Sequence, residues 1–199
     1  SWLIAVSGCG DVMVYDCIGL LDEAFVAPFV LHLHCEVHSA STVLLSNSHP
    51  CVGFVAVGGD KGFIHIIAIE VVRADLATRS RSMSVGAGNS SRRTDIVSYK
   101  LNHVCTLSME CDSGRIMSIR AVASTRQLSS NHAAGAVGSD RNPSSWHLLS
   151  YCTGKSHIAH WGMHAAAAPH FVASPKPPRR IELDRVWGGV QSMAASPCG

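Results

Sequence analysis

Gly53-Phe-Val-Ala-Val-Gly-Gly-Asp60-Lys61-Gly-Phe-Ile-His-Ile-Ile67 is the stretch on which the fold turns. Two apolar runs flank Gly58-Gly59-Asp60-Lys61-Gly62. Apolar runs this short, bounded by Gly and Asp, predict strands rather than helices. The glycines are expected to supply the positive φ of a tight hairpin. Leu3-Ile-Ala-Val-Ser-Gly-Cys-Gly-Asp11-Val-Met-Val-Tyr-Asp16 repeats the plan. So does Ala133-Ala-Gly-Ala-Val-Gly-Ser-Asp140, running through Arg141 to Ser145-Trp-His-Leu-Leu149. A recurring strand–turn–strand unit marks a repeat architecture.

The apolar runs predict hairpins of Leu3–Ser7 with Val12–Asp16, Val52–Val57 with Phe63–Ile69, and Ala133–Gly138 with Trp146–Tyr151. His157–Trp161 is read as an outer strand of the third. Further strands are expected at Phe25–His34 (one or two, kinked near Pro28), Ser41–Ser46, Ile96–Leu101, Val104–Glu110, Arg115–Ala123, Ile181–Val186 and Val190–Ser196. Two inserts interrupt the pattern. Residues 74–95 are Ser- and Arg-rich and read as a flexible basic loop. Residues 163–180 are Ala- and Pro-rich and read as a linker held extended by Pro175, Pro177 and Pro178. No β–α–β alternation and no long amphipathic helix is visible, so the fold class is all-β.

Composition narrows the role. The 199 residues are 47% hydrophobic, enough for a real core. A formal net charge of +2 gives no global field toward nucleic acid or acidic lipid. The longest apolar run, Ala24 to Leu33, falls well short of the roughly 20 residues of a membrane span. No membrane partner and no secretory signal are expected. Eight cysteines without a C-x-x-C spacing are read as reduced thiols, which places the protein in the cytoplasm or nucleus.

The repeated units resemble the WD40 family of β-propellers. Ala5-Val-Ser-Gly…Gly10-Asp11-Val-Met-Val-Tyr15-Asp16 is similar to the end of such a repeat, with Tyr15-Asp16 where the family often has Trp-Asp. Val55-Ala-Val-Gly-Gly-Asp60-Lys-Gly-Phe-Ile-His-Ile-Ile67 resembles the same region, with Ala68-Ile69 in those positions. Ser113-Gly-Arg-Ile-Met-Ser-Ile119 and Gly188-Gly-Val-Gln-Ser-Met-Ala-Ala-Ser-Pro-Cys-Gly199 resemble the inner strand that opens a blade. The chain has no Trp-Asp and no Gly-His dipeptide, and no repeat shows both the Asp and the His that family members use to pin a blade turn. The resemblance implies about three blades plus partial blades across residues 1–199, part of a larger seven-bladed ring. A chain that starts mid-blade, without an initiator Met, is expected to be completed by further sequence or by another chain.

The function implied is a non-catalytic interaction scaffold within a multiprotein complex. Partner contacts are expected at the rim turns near Gly8–Asp11, Gly58–Gly62 and Ser139–Asn142, through Asp11, Asp60, Lys61, Asp140 and Arg141. A second reading is association with RNA or a ribonucleoprotein through the basic segments: Arg79, Arg81, Arg92 and Arg93, and Lys176, Arg179 and Arg180. Arg79-Ser-Arg-Ser is also a plausible kinase target. The third reading is a Cys/His enzyme.

Residue chemistry gives that third reading little. Ser7-Gly8 and Ser113-Gly114 sit in hairpin turns, not in a Gly-x-Ser-x-Gly elbow. Gly154-Lys155-Ser156 has Leu149 where a phosphate loop needs its first Gly. Asp60 and Asp140 are expected to tie down their turns rather than move protons. Two histidine groups stand out: His32, His34 and His38, with His32 and His34 on one strand face, and His157, His160, His164 and His170. Neither has zinc-ligand spacing, so no metal and no cofactor are expected.

Overall fold

The computed structural model describes residues 2–16, 28–44, 51–73, 97–110, 114–123, 145–164, 177–183, 190 and 192–194. These form antiparallel strands with no α-helix among them. The strands are β1 (Trp2–Val6), β2 (Asp11–Asp16), β3 (Phe29–His32), β4 (Val37–Leu44), β5 (Cys51–Gly59), β6 (Phe63–Arg73), β7 (Val97–Ser108), β8 (Ile116–Ala123), β9 (Ser145–Cys152), β10 (His157–His164) and β11 (Arg179–Glu182). They pair in chain order into three meanders: β1-β2-β3, β4-β5-β6-β7 and β8-β9-β10-β11. No sheet closes on itself.

The middle sheet explains why its sequence is so continuously apolar. Phe54, Ala56, Ile64, Ile66 and Ala68 face the third sheet, in one core with Ile116, Trp146, Leu148, Trp161 and Met163. Val55, Val57, Ile67 and Ile69 face the first sheet, in a second core with Val12 and Val14. Side chains alternate between faces, so a strand covered on both sides has apolar residues at every position. The outer two sheets each bury one face in these cores, and in β8 exposed Met117 and Arg120 stand among buried residues, with the alternation broken at Ser118 and Ile119 beside a register shift. Phe54 stacks on Trp146 across the layers, with ring centroids 5.4 Å apart.

Gly58 is required by that packing. A Cβ there would stand 2.4 Å from Ile116 Cγ2. The expectation that the glycines of this turn supply positive φ holds for Gly62 (φ +71°), while Lys61 also takes the left-handed conformation, at φ +54°. Gly58 and Gly59 serve close approach instead.

The first strand of each sheet faces a common cleft of about 550 Å³, lined by Ile4 and Val6 of β1, Ser41 and Thr42 of β4, and Arg120 and Ala121 of β8. Ser39 Oγ donates to the Ile116 carbonyl at 2.6 Å, and the Ala121 N–H donates to Ser41 Oγ at 3.0 Å, so β4 and β8 are tied along the cleft.

Several expected boundaries shift, each for a physical reason. Ile96–Leu101 and Val104–Glu110, expected as two strands, form the single strand β7, bent by a β-bulge. Ile66 pairs with Cys105 and Ile67 with His103, leaving Val104 as the extra residue. The bulge exchanges the faces: Tyr99 and Leu101 point to the first sheet, while Cys105 and Leu107 point to the third. Ser41–Ser46 begins four residues earlier, at Val37. The outer strand expected at His157–Trp161 continues to His164 and is itself covered by β11, which starts at Arg179, two residues before the expected Ile181, and ends at Glu182; positions 184–186 of the expected Ile181–Val186 lie outside the described residues. Both changes trim the linker expected over 163–180. Val190 and 192–194 carry no strand, against the expectation for Val190–Ser196. Trp146–Tyr151 pairs with β8 and β10; Ala133–Gly138, its expected partner, and the insert 74–95 lie outside the described residues.

Candidate functional site

Three hairpin turns gather at one edge of the stack. They join β1 to β2, β5 to β6, and β9 to β10. Backbone hydrogen bonds lace them to the segments between sheets. Leu33 N–H donates to the Gly10 carbonyl and Val37 N–H to that of Gly8, both at 2.9 Å. Gly62 N–H donates to the Gly114 carbonyl at 2.8 Å, and Met109 N–H to that of Gly62 at 3.0 Å. Thr153 N–H reaches the Arg115 carbonyl at 2.9 Å, and Lys155 Nζ donates to the Glu110 carbonyl at 3.0 Å. The result is one continuous rim crossing all three sheets.

Backbone strain concentrates on this rim. His34, Lys61 and Glu110 are the described non-glycine residues with positive φ, at +53°, +54° and +52°. All three are exposed. The left-handed region costs an L-residue roughly 1–3 kcal/mol, and such residues cluster where function retains them.

Asp60 organises the centre of the rim. Its Oδ1 accepts a hydrogen bond from His38 Nε2 at 2.7 Å and lies 3.9 Å from Arg115 Nε. The His38 bond comes first in holding the Asp60 carboxyl below the usual carboxylate range, with the His38 and Arg115 charges and a Glu36 hydrogen bond adding to it against the opposing effect of burial. Glu36, His38 and Asp60 bring donor atoms within 4.8 Å of one another. The His38 bond pins the turn to the start of β4. Behind it, burial, seconded by the Asp60 charge, pushes the Cys35 thiol up.

The expected site residues divide three ways. Asp60 and Lys61 lie at the rim centre. Asp11 is also on the rim, but His32 Nδ1 engages its carboxylate at 2.6 Å. Arg179 and Arg180 are exposed on β11, paired to His160 and Ala159. Asp140, Arg141, Arg79, Arg81, Arg92, Arg93 and Lys176 lie outside the described residues. Sequence reasoning missed Glu110 and Arg115; it named His34 and His38 only as members of a histidine group, not as rim residues, and it missed the His38–Asp60 pair. No dipeptide signature precedes His38, and nothing in residue order announces a positive φ.

The histidines regroup as well. His32 ends β3, and His34 has left the strand, so the expected shared strand face is replaced by ring stacking at 6.3 Å. His160 meets His147, ring nitrogens 3.1 Å apart. Among the described cysteines, Cys9 is exposed, Cys35 and Cys105 are half-buried, and Cys152 is buried. No helix of the described residues is long and apolar enough to cross a membrane. No family model, curated protein or solved structure matches the chain.

Proposed function

We propose that this chain is a WD40-like propeller module that acts as a non-catalytic scaffold and binds a partner protein of a larger complex at its rim. The observation that carries the reading is the stacking of three consecutive meanders face to face, with the first strand of each turned to one cleft. Propeller blades bury both faces of their sheets by radial repetition of such meanders, and the stacking supports the reading on that ground. The His38–Asp60 bond supports it further, since an Asp and a His pinning a blade turn are what the family resemblance implies. The function follows from the site and not from the fold. Rigid sheets hold an exposed, polar, locally strained rim in a fixed shape, and rigid presentation lowers the ordering cost of association.

Charge reversal at the rim tests the reading. Lys61→Glu should abolish co-migration with the partner in size-exclusion chromatography and leave the melting temperature unchanged. Leu44→Glu, at the opposite end of β4, should bind as the unmodified chain does. Equal loss in both variants would argue against a rim site.

A further inference from the structure

We propose that His65, His103 and Thr106 form a binding site for a divalent first-row transition metal of the zinc type. His65 Nδ1 and His103 Nε2 are 3.4 Å apart, and Thr106 Oγ1 is 3.2 Å from each. Three donor atoms thus stand at the corners of a nearly equilateral triangle. A tetrahedral ion with ligands at about 2.0–2.1 Å has a corner-to-corner separation of about 3.3 Å, so one face of its coordination shell matches the triangle. Imidazole nitrogens favour zinc, copper and nickel over magnesium or calcium. Two neutral imidazoles would supply the nitrogen lone pairs and the threonine hydroxyl a third, weaker contact. The half-buried His65 and the exposed His103 and Thr106 leave the fourth direction open to water.

The β7 bulge is what builds the triangle. Thr106 sits directly across from His65 in the ladder. In a regular strand the same-face neighbour of Thr106 on that side would be Val104. The extra residue shifts the register by one, turns Val104 toward the core shared with the third sheet, and brings His103 beside Thr106 and His65. Bulges re-aim side chains in this way near functional sites. A bound ion would cross-link β6 and β7 of the middle sheet, a role independent of partner binding at the rim.

Calorimetric titration of the full chain with Zn²⁺ alone tests the site. A single saturable event is expected. Removing a hydrogen-bond partner behind a metal ligand already weakens affinity about 10–100-fold, so His65→Ala and His103→Ala should each weaken it at least about tenfold. Thr106→Val should weaken it less than either. His147→Ala, which breaks the other close histidine pair, should leave it unchanged. Zn²⁺ should also raise the melting temperature of the unmodified chain, and a chelator should reverse the rise. His103 is exposed, so His103→Ala keeps the test open even where His65→Ala disturbs folding; metal-free melting curves show which variants fold. No Zn²⁺ binding, binding undiminished in His103→Ala, or binding lost in His147→Ala would overturn the proposal.

Discussion

His38 Nε2 lies 2.7 Å from Asp60 Oδ1, joining the start of β4 to the turn between β5 and β6 across 22 positions of sequence. The bond closes the rim end of the middle sheet, because β4 and β6 are not themselves neighbours. Lys61, the exposed residue that follows, takes a left-handed conformation at φ +54°.

This bond makes stability depend on pH in a defined direction. The Asp60 carboxyl is held below its ordinary value in the folded state. Its contribution is therefore complete above the unfolded aspartate pKa of about 3.9 and is lost as pH falls through the lower folded value. Asp60→Asn should be less stable than the unmodified chain near neutral pH, and the gap should close in strong acid. Urea unfolding of both proteins from about pH 7 down to about pH 2 checks this. A gap that stays constant across the range would remove Asp60 from the account.

Gly58 sets the distance between the middle and third sheets. An added Cβ would meet Ile116 at 2.4 Å and Ile119 at 2.7 Å. Gly58→Ala should cost about 1–3 kcal/mol through overpacking. Gly162 has no atom within 4 Å of an added Cβ. Gly162→Ala should be neutral or stabilising by about 0.5 kcal/mol, because it restricts the unfolded chain. Denaturant midpoints at equal m-value separate the two outcomes.

Ser150 carries the buried polar chemistry of the third sheet. It is fully buried, accepts a hydrogen bond from Trp161 Nε1 at 3.0 Å, and donates to Met109 Sδ at 3.3 Å. Ser150→Ala leaves the indole N–H without a partner and should cost about 1–3 kcal/mol. Trp161→Phe removes the donor. The double variant should then lose less than the sum of the two single losses, and a double-mutant cycle reads that coupling directly.

The strained rim residues predict a trade between stability and binding. Lys61→Gly and Glu110→Gly remove the cost of a left-handed Cβ, offset in part by glycine's greater freedom in the unfolded state. Each should raise stability by up to about 1 kcal/mol by thermal unfolding. Each should also weaken partner binding, since it deletes an exposed side chain from the rim. Loss of stability in both variants would mean that these conformations are not strained.

The middle sheet is legible in the sequence because burial on both faces writes itself as unbroken apolar runs, as in Phe54–Val57 and Ile66–Ile69. The β5–β6 turn is legible for the same reason, from the polarity and small size of its residues. The β7 bulge is not. The polar pair Asn102-His103 reads as a break between two strands, whereas the chain keeps the ladder and rotates its face. His34 looks like one more alternating strand residue beside His32, yet its φ of +53° turns the chain toward β4. Asp60 and Lys61 could be picked out because turn residues are few and exposed. His38 reaches Asp60 through the β4–β5 ladder, in which Val37 pairs with Gly59, while Arg115 arrives from the third sheet by stacking.

Photo-crosslinking tests the rim most directly. A crosslinking residue placed at Lys61 in the full chain should yield one discrete protein adduct in extract of the cells that make it. The same residue at Leu44, which is 61% exposed at the far end of β4, should yield none. An adduct from position 44 with none from position 61 would contradict the assignment of the turn rim as the partner-binding surface.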